Sequence, residues 1–312
     1  MEVMALSGTA TVSGRCSGGK ERGEPLSRAE RLRESLDGLY DRFDASFLSP
    51  DPLEFVHRFS EPRDQEVAGL IAASLAYGRV AQIRKTIGKV MEAMEWSPYA
   101  FTAGFQPKRD GKAFEKIVHR FNTGDDIGCL IYFARQMIEE AGSIGNFFLR
   151  GADPDERNIG GALSRFTAAV LALDSEPVYG KKLLPADAGV RFFFPTPQKG
   201  SPCKRLNLYL RWMVRRGDRL DLGLWGDIEP AQLVIPLDTH IGRIARIIGL
   251  TARKSADWKM AEEITVSLAR CDPDDPVKYD FALSRLGILD YCPKKRNPAR
   301  CEACFIQELC LL

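Results

Sequence analysis

The sixteen residues Ile235-Pro236-Leu237-Asp238-Thr239-His240-Ile241-Gly242-Arg243-Ile244-Ala245-Arg246-Ile247-Ile248-Gly249-Leu250 decide how this chain is read. Ile241, Ile244, Ala245 and Ile248 recur at three- and four-residue intervals, the spacing of one buried helical face. Asp238 stands just before that helix, where a short oxygen-bearing side chain accepts from the free N–H groups of the first turn. The helix predicted over 239–250 closes at Gly249-Leu250. The same periodicity runs through 28–43, 64–96, 114–121, 126–140, 162–173, 204–216, 259–270 and 276–289, whereas alternating, strand-like runs are scarce. Proline and glycine punctuate the gaps, as in Ser49-Pro50-Asp51-Pro52 and Gly200-Ser201-Pro202. The predicted fold class is mainly α, with no internal repeat of fixed period.

At 312 residues, 45% hydrophobic and 28% charged, the chain can bury a sizeable core. Its 44 basic and 42 acidic residues leave a net charge of +2, so no global field draws it to polyanions, and a nucleic-acid site must be a local patch. No apolar run reaches the ~20 residues a membrane-spanning helix needs. Residues 1–27 are rich in Ser, Gly, Thr and Arg without apolar periodicity or a signal-peptide core, and read as a flexible leader to a body of residues 28–312. A cytoplasmic location is expected.

Eight cysteines in a chain of this length, with no secretion signal, do not suggest a disulfide framework. Four of them, Cys292, Cys301, Cys304 and Cys310, follow a Cys-x8-Cys-x2-Cys-x5-Cys spacing that can bring four thiolates around one compact centre. Two centres compete, tetrahedral zinc and a [4Fe–4S] cluster. One Cys-x2-Cys knuckle with two lone outer cysteines, instead of two knuckles, favours the cluster; zinc stays as the alternative. Cys16, Cys129, Cys203 and Cys271 read as core or incidental residues.

Taken together, Leu237-Asp238-Thr239-His240-Ile241 and the cysteine cluster beginning 49 residues after Arg243 resemble the helix-hairpin-helix superfamily of base-excision DNA glycosylases, in its endonuclease III-like branch with an iron–sulfur loop. The first cysteine gap is two residues longer than the family's; the other two are equal to it. Upstream, Leu70-Ile71-Ala72-Ala73-Ser74-Leu75-Ala76-Tyr77-Gly78-Arg79 is similar to the family's early core helix and the turn after it that meets DNA. The hairpin is the altered part. Pro197-Gln198-Lys199-Gly200-Ser201-Pro202-Cys203-Lys204-Arg205-Leu206-Asn207 keeps an incomplete glycine pair, and Asp238 follows Lys204 by 34 positions, more than is usual in the family, which makes Gly217–Ala231 an insertion. The resemblance covers about residues 60–312. It implies a two-lobed helix-hairpin-helix fold closed by a [4Fe–4S] loop, a DNA duplex carrying a damaged or modified base as substrate, and action as a monomer. It also implies Asp238 as the catalytic carboxylate, Lys204 as an amine nucleophile, and Tyr77 and Arg79 at the DNA. The whole chain looks like a branch of that superfamily whose membership settles no substrate.

The chemistry suits these residue types. Breaking an N-glycosidic bond builds positive charge on the sugar, and a carboxylate near the anomeric carbon stabilises that charge or deprotonates the attacking group. An amine at Lys204 would form a Schiff base and permit strand cleavage. Phosphate contacts fall to the turn at Gly200, which leads into a helix N-terminus, to His240, and to the clustered Lys199, Lys204, Arg205, Arg211, Arg215 and Arg216, with the run Lys294-Lys295-Arg296 beside the first cysteine. Each feature alone has a plainer reading: an Asp before a helix as a cap, a basic run as a solvated face, Phe192-Phe193-Phe194 as packing. Three functions follow in order: a DNA N-glycosylase with or without lyase activity; a non-catalytic nucleic-acid- or partner-binding protein on the same fold; and an RNA or nucleoside N-glycosidase whose pocket the insertion rebuilds.

Overall fold

The computed structural model describes residues 26–293, 295–302 and 304–311. Most of the expected leader, with Cys16, and Lys294 of the basic run lie outside the described residues. The α-helices are α1 (Arg28–Arg42), α2 (Leu53–Val56), α3 (Pro62–Ser74), α4 (Val80–Ala93), α5 (Pro98–Gly104), α6 (Pro107–Asp110), α7 (Gly124–Ala141), α8 (Ile144–Leu149), α9 (Gly160–Val170), α10 (Glu176–Tyr179), α11 (Lys204–Val214), α12 (Thr239–Ile247), α13 (Trp258–Leu268), α14 (Asp280–Ile288) and α15 (Pro298–Cys301). Among the described residues no strand forms beyond an isolated bridge between His119 and Asn122, and no helix is long and apolar enough to cross a membrane. The mainly α expectation holds.

Local chemistry sets the helix limits. Helix α1 starts at Arg28, the expected leader boundary, because Ser27 and Glu30 form a reciprocal capping box. Helix α7 starts from a box between Thr123 and Asp126 and stops at Gly142, whose φ of 83° is left-handed. The periodic run 64–96 is two helices, α3 and α4, because Gly78 at φ 100° breaks it. The helix expected over 114–121 is absent. His119 and Asn122 are fully buried and exchange backbone hydrogen bonds of 2.9 and 3.0 Å, closing a tight turn that puts Arg120 at φ 58°. A left-handed arginine costs about 1–3 kcal/mol, which the buried pair outweighs. Short helices α2, α5 and α8 are too brief to show a period in the sequence.

Helix α3 is the hub. From Glu66 to Ser74 it is buried on every side, so its letters show no polar face. Helices α2, α5 and α11 pack on it. Gly69 permits the closest approach: a Cβ there would stand 2.8 Å from Met213 Cε and 3.1 Å from Tyr209 Cε2 of α11. Glu66 is buried but fully engaged, its carboxylate accepting from Ile144 N at 3.1 Å, Gly145 N at 2.8 Å and Trp225 Nε1 at 2.9 Å. Trp225 belongs to the insertion 217–231 and stacks on Phe148, so this segment is bound into the core of the first helical group.

A second group brings α1 back against α14, with α14 on α12. Helix α11 fastens the two groups. Its Arg211 pairs with Asp280 of α14 and with Asp221 at 3.2 Å, and Arg215 beyond its end pairs with Asp221, with Asp218 at 2.9 Å and with Asp275 at 2.9 Å. Both guanidinium groups are 2% exposed, so the expectation that Arg211 and Arg215 meet phosphate is corrected: burial beside carboxylates supplied by the insertion and by α14 consumes them. Removing one partner of such a pair strands a buried charge, and Arg211→Ala is expected to lower unfolding free energy by about 3–5 kcal/mol in urea titration. A change under about 1 kcal/mol would show that the pair is not what joins the groups.

Candidate functional site

Asp238 is the N-cap of α12. Its Oδ1 accepts from His240 N and Ile241 N, both at 2.8 Å, while Oδ2 is left unengaged by either bond, and the side chain is half-buried at the molecular surface. Behind it lies Asp280, buried, whose carboxyl is pushed up to about 6 by burial, with Asp238 adding to the rise and Arg211 opposing it. His240 is also half-buried, and its ring lies on α14: a Cβ on Gly287 would stand 2.2 Å from His240 Nδ1. The ring therefore sets the fit of α12 on α14, a packing role in place of the expected phosphate contact.

Lys204 opens α11. No side chain caps that helix, and Cys203 before it adopts φ 47°, in the left-handed region. The Lys204 amine donates to the Ala76 carbonyl at 3.0 Å, which ties the start of α11 to the turn at Tyr77-Gly78-Arg79. Gly200 is left-handed at φ 77° and exposed, as is Lys199, and both remain open to a ligand. The limb before the turn is a short 3-10 segment, Pro197–Lys199, in place of an α-helix. Arg205 is a correction. It is 8% exposed, donates to the Ser74 carbonyl at 3.0 Å and to the Phe192 carbonyl, and burial holds its guanidinium down to about 10. It cannot reach a phosphate from there.

Arg79 is exposed, but Tyr77 is half-buried: its hydroxyl donates to His119 O at 3.0 Å and to Asn122 Oδ1. Its ring supports a cluster that the sequence reading missed. Phe192 lies 4.9 Å and Phe121 5.6 Å from it, centroid to centroid, with Phe121 and Phe192 edge-to-face at 4.5 Å. Arg205 sits 3.9 Å over Phe192. The one available signal was Phe121 among the polar letters of a turn.

The four terminal cysteines converge. Cys292, Cys301, Cys304 and Cys310 line one cavity of about 150 Å³ with Ile247, Tyr291 and Ile306. All four are free thiols, and burial together with the three neighbouring cysteines pushes Cys304 up. Two N–H groups point at sulfur, Arg243 Nη1 to Cys292 at 3.3 Å and Asn297 N to Cys301 at 3.4 Å. Arg243 also donates to the carbonyls of Cys292, at 2.7 Å, and Pro293, at 3.0 Å, so the helix that Asp238 caps clasps the start of the loop. Among the described residues no three His, Cys, Asp or Glu side chains stand close enough to share one metal ion; the thiols face a void. Four sulfurs with N–H donors beside them are a donor set that suits either a zinc ion or an iron–sulfur cluster. Cys129, Cys203 and Cys271 are buried elsewhere, as expected of core residues.

A cavity of about 860 Å³, lined by Leu250, Thr251 and Val266, sits at the far end of α12 from Asp238. Residues 51–289 match the family described as "Protein of unknown function (DUF2400)", and the chain belongs to that family. The matched span holds Lys204 and Asp238 and stops before Cys292. No curated protein and no solved structure matches the chain.

Arg243→Ala is expected to speed amide hydrogen exchange across 292–310 while α3 keeps its protection, because three donors to the loop are lost at once. Equal protection in the variant would mean that the loop is held by other contacts.

Proposed function

We propose that the chain is a DNA base-excision N-glycosylase on a helix-hairpin-helix glycosylase-like fold, with a [4Fe–4S] cluster on Cys292, Cys301, Cys304 and Cys310. The observation that carries it is Asp238: one carboxylate oxygen is fixed by two backbone N–H groups, the other is uncommitted, and the group is open to solvent at the mouth of α12. A carboxylate so held can stabilise an oxocarbenium-like sugar or take a proton from water without reorganising. Its position two residues before His240 and on the helix that grips the cysteine loop supports the same reading. The hydrolytic form is the better supported one, since the Lys204 amine donates to the Ala76 carbonyl and must leave it before attacking a sugar. Lys204 then adds lyase activity.

DNA would be held by the exposed turn at Lys199-Gly200, by the uncapped start of α11 and by Arg79. A cluster would supply a cross-link that fixes the loop 292–310, and the single Cys-x2-Cys knuckle with two lone outer cysteines supports it over a zinc ion. A non-catalytic binding protein is the second reading, favoured by the short 3-10 limb and by Pro202 where the hairpin's second glycine would stand.

Aerobically purified protein is expected to be brown with a broad visible absorbance shoulder. A colourless protein holding stoichiometric zinc removes the cluster. A screen over duplexes with damaged bases is expected to find excision that Asp238→Asn lowers by ~100-fold or more, the scale of losing a transition-state charge stabiliser. Binding without excision in the wild type selects the second reading. If Lys204 adds lyase activity, borohydride trapping on abasic DNA gives an adduct that Lys204→Ala abolishes; no adduct in the wild type leaves the hydrolytic form alone, and an undiminished adduct in the variant assigns the nucleophile to another amine.

A further inference from the structure

The aromatic cluster at Tyr77 presents two rings to solvent that no folding argument requires. Phe121 is 56% exposed and Phe192 39% exposed, among the larger exposed apolar side chains of the protein. They come from segments 71 residues apart in the chain and meet edge-to-face at 4.5 Å. Phe121 lies 5.6 Å from Tyr77 with the two rings tilted by 33°. Phe192 is seated on the Arg205 guanidinium at 3.9 Å.

The base beneath them is rigid. His119 Nε2 is 2.9 Å from Tyr77 O, His119 Nδ1 is 3.0 Å from Thr86 Oγ1, and Asn122 Nδ2 donates to Gly189 O at 2.9 Å. The His119 and Asn122 side chains are therefore turned inward, while Val118, Arg120 and Phe121 are turned out. A turn that buries its histidine and asparagine and exposes its valine and phenylalanine is arranged for contact. The charge beside it is positive: Arg120 and Arg79 are exposed, with Arg120 5.9 Å from the Tyr77 ring, and Lys204 reaches the Ala76 carbonyl one residue before Tyr77.

Exposed aromatic rings bordered by cations match one chemistry closely: unstacked bases with their phosphates. In an intact duplex each base face is covered by its neighbours, and a pair of rings has nothing to stack on. We propose that Phe121 and Phe192 form a stacking platform for unpaired DNA bases, so that the substrate of this chain is single-stranded DNA or an unpaired stretch within a duplex. This deepens the nucleic-acid reading above and rests on it for the partner, while its test reads binding and needs no excision.

The test is fluorescence anisotropy of the full chain with a labelled strand of about 15 nucleotides, single or annealed to its complement, at one fixed salt concentration. The wild type is expected to bind the single strand more tightly than the duplex. Phe121→Ala and Phe192→Ala are each expected to weaken single-strand binding by roughly 5- to 150-fold, the effect of losing one ring–base stack, with little change for the duplex. Phe121→Trp keeps a stacking face and is expected to keep the affinity, which separates stacking from misfolding. Equal affinity for both forms, or alanine variants that bind as the wild type does, overturns the platform even where excision from duplexes is found. Ring-dependent single-strand binding without excision leaves the platform standing and removes the glycosylase.

Discussion

Arg211 and Arg215 lie near the end of α11 and just beyond it, where the helix passes between two groups of helices, at positions that in an apolar interface would hold leucines. Their charges are balanced by Asp221 and Asp218 of the insertion, Asp275 before α14 and Asp280 within it. Such a junction is costly to desolvate and adds little over a well-packed apolar one; its value is directional, because guanidinium groups accept carboxylates from few angles. The pose of α14 against α11 follows from it. Since α12 rides on α14 and Asp238 caps α12, the candidate carboxylate is placed relative to Lys204 through those ion pairs.

The same junction explains the insertion. Residues 217–231 lengthen the path from Lys204 to Asp238, and one reading gives them a rebuilt pocket. Instead Asp221 is fully engaged by two arginines, and Trp225 closes over Glu66 and Phe148. On α11 and just beyond it these two residues meet Tyr209, Arg211 and Arg215, five to eleven residues or about 8–17 Å of rise from Lys204. The added length serves the frame.

What the sequence made legible was local. The Asp238 cap and the break at Gly249 depend on residues within one helical turn, and the cysteine spacing on a loop of 19 residues. The mainly α fold follows from periodicity alone. Partners distant in the chain were not legible: Arg205, Arg211 and Arg215 look like any basic stripe until Ser74, Asp221 and Asp275 are brought beside them. The segment 114–121 misled for a different reason. Phe114, Ile117, Val118 and Phe121 carry the three- and four-residue spacing of a helix, yet only the first two are buried and Val118 and Phe121 face solvent. The aromatic cluster was hidden because Tyr77, Phe121 and Phe192 belong to three separate segments, and one of them stood in a Phe-Phe-Phe run that reads as core.

Arg205 carries a consequence for how the chain tolerates change. Its guanidinium spans the carbonyls of Ser74 and Phe192 while its plane lies against the Phe192 ring, and burial already brings its proton affinity down to about 10. An ammonium group has neither the span nor the flat face, and lysine begins some two to three units less basic. The same burial would carry a lysine toward neutrality at ordinary pH and leave two carbonyls without a cationic donor. At this position the nominally conservative exchange of one positive residue for another is a change of shape, of charge and of the floor on which Phe192 rests.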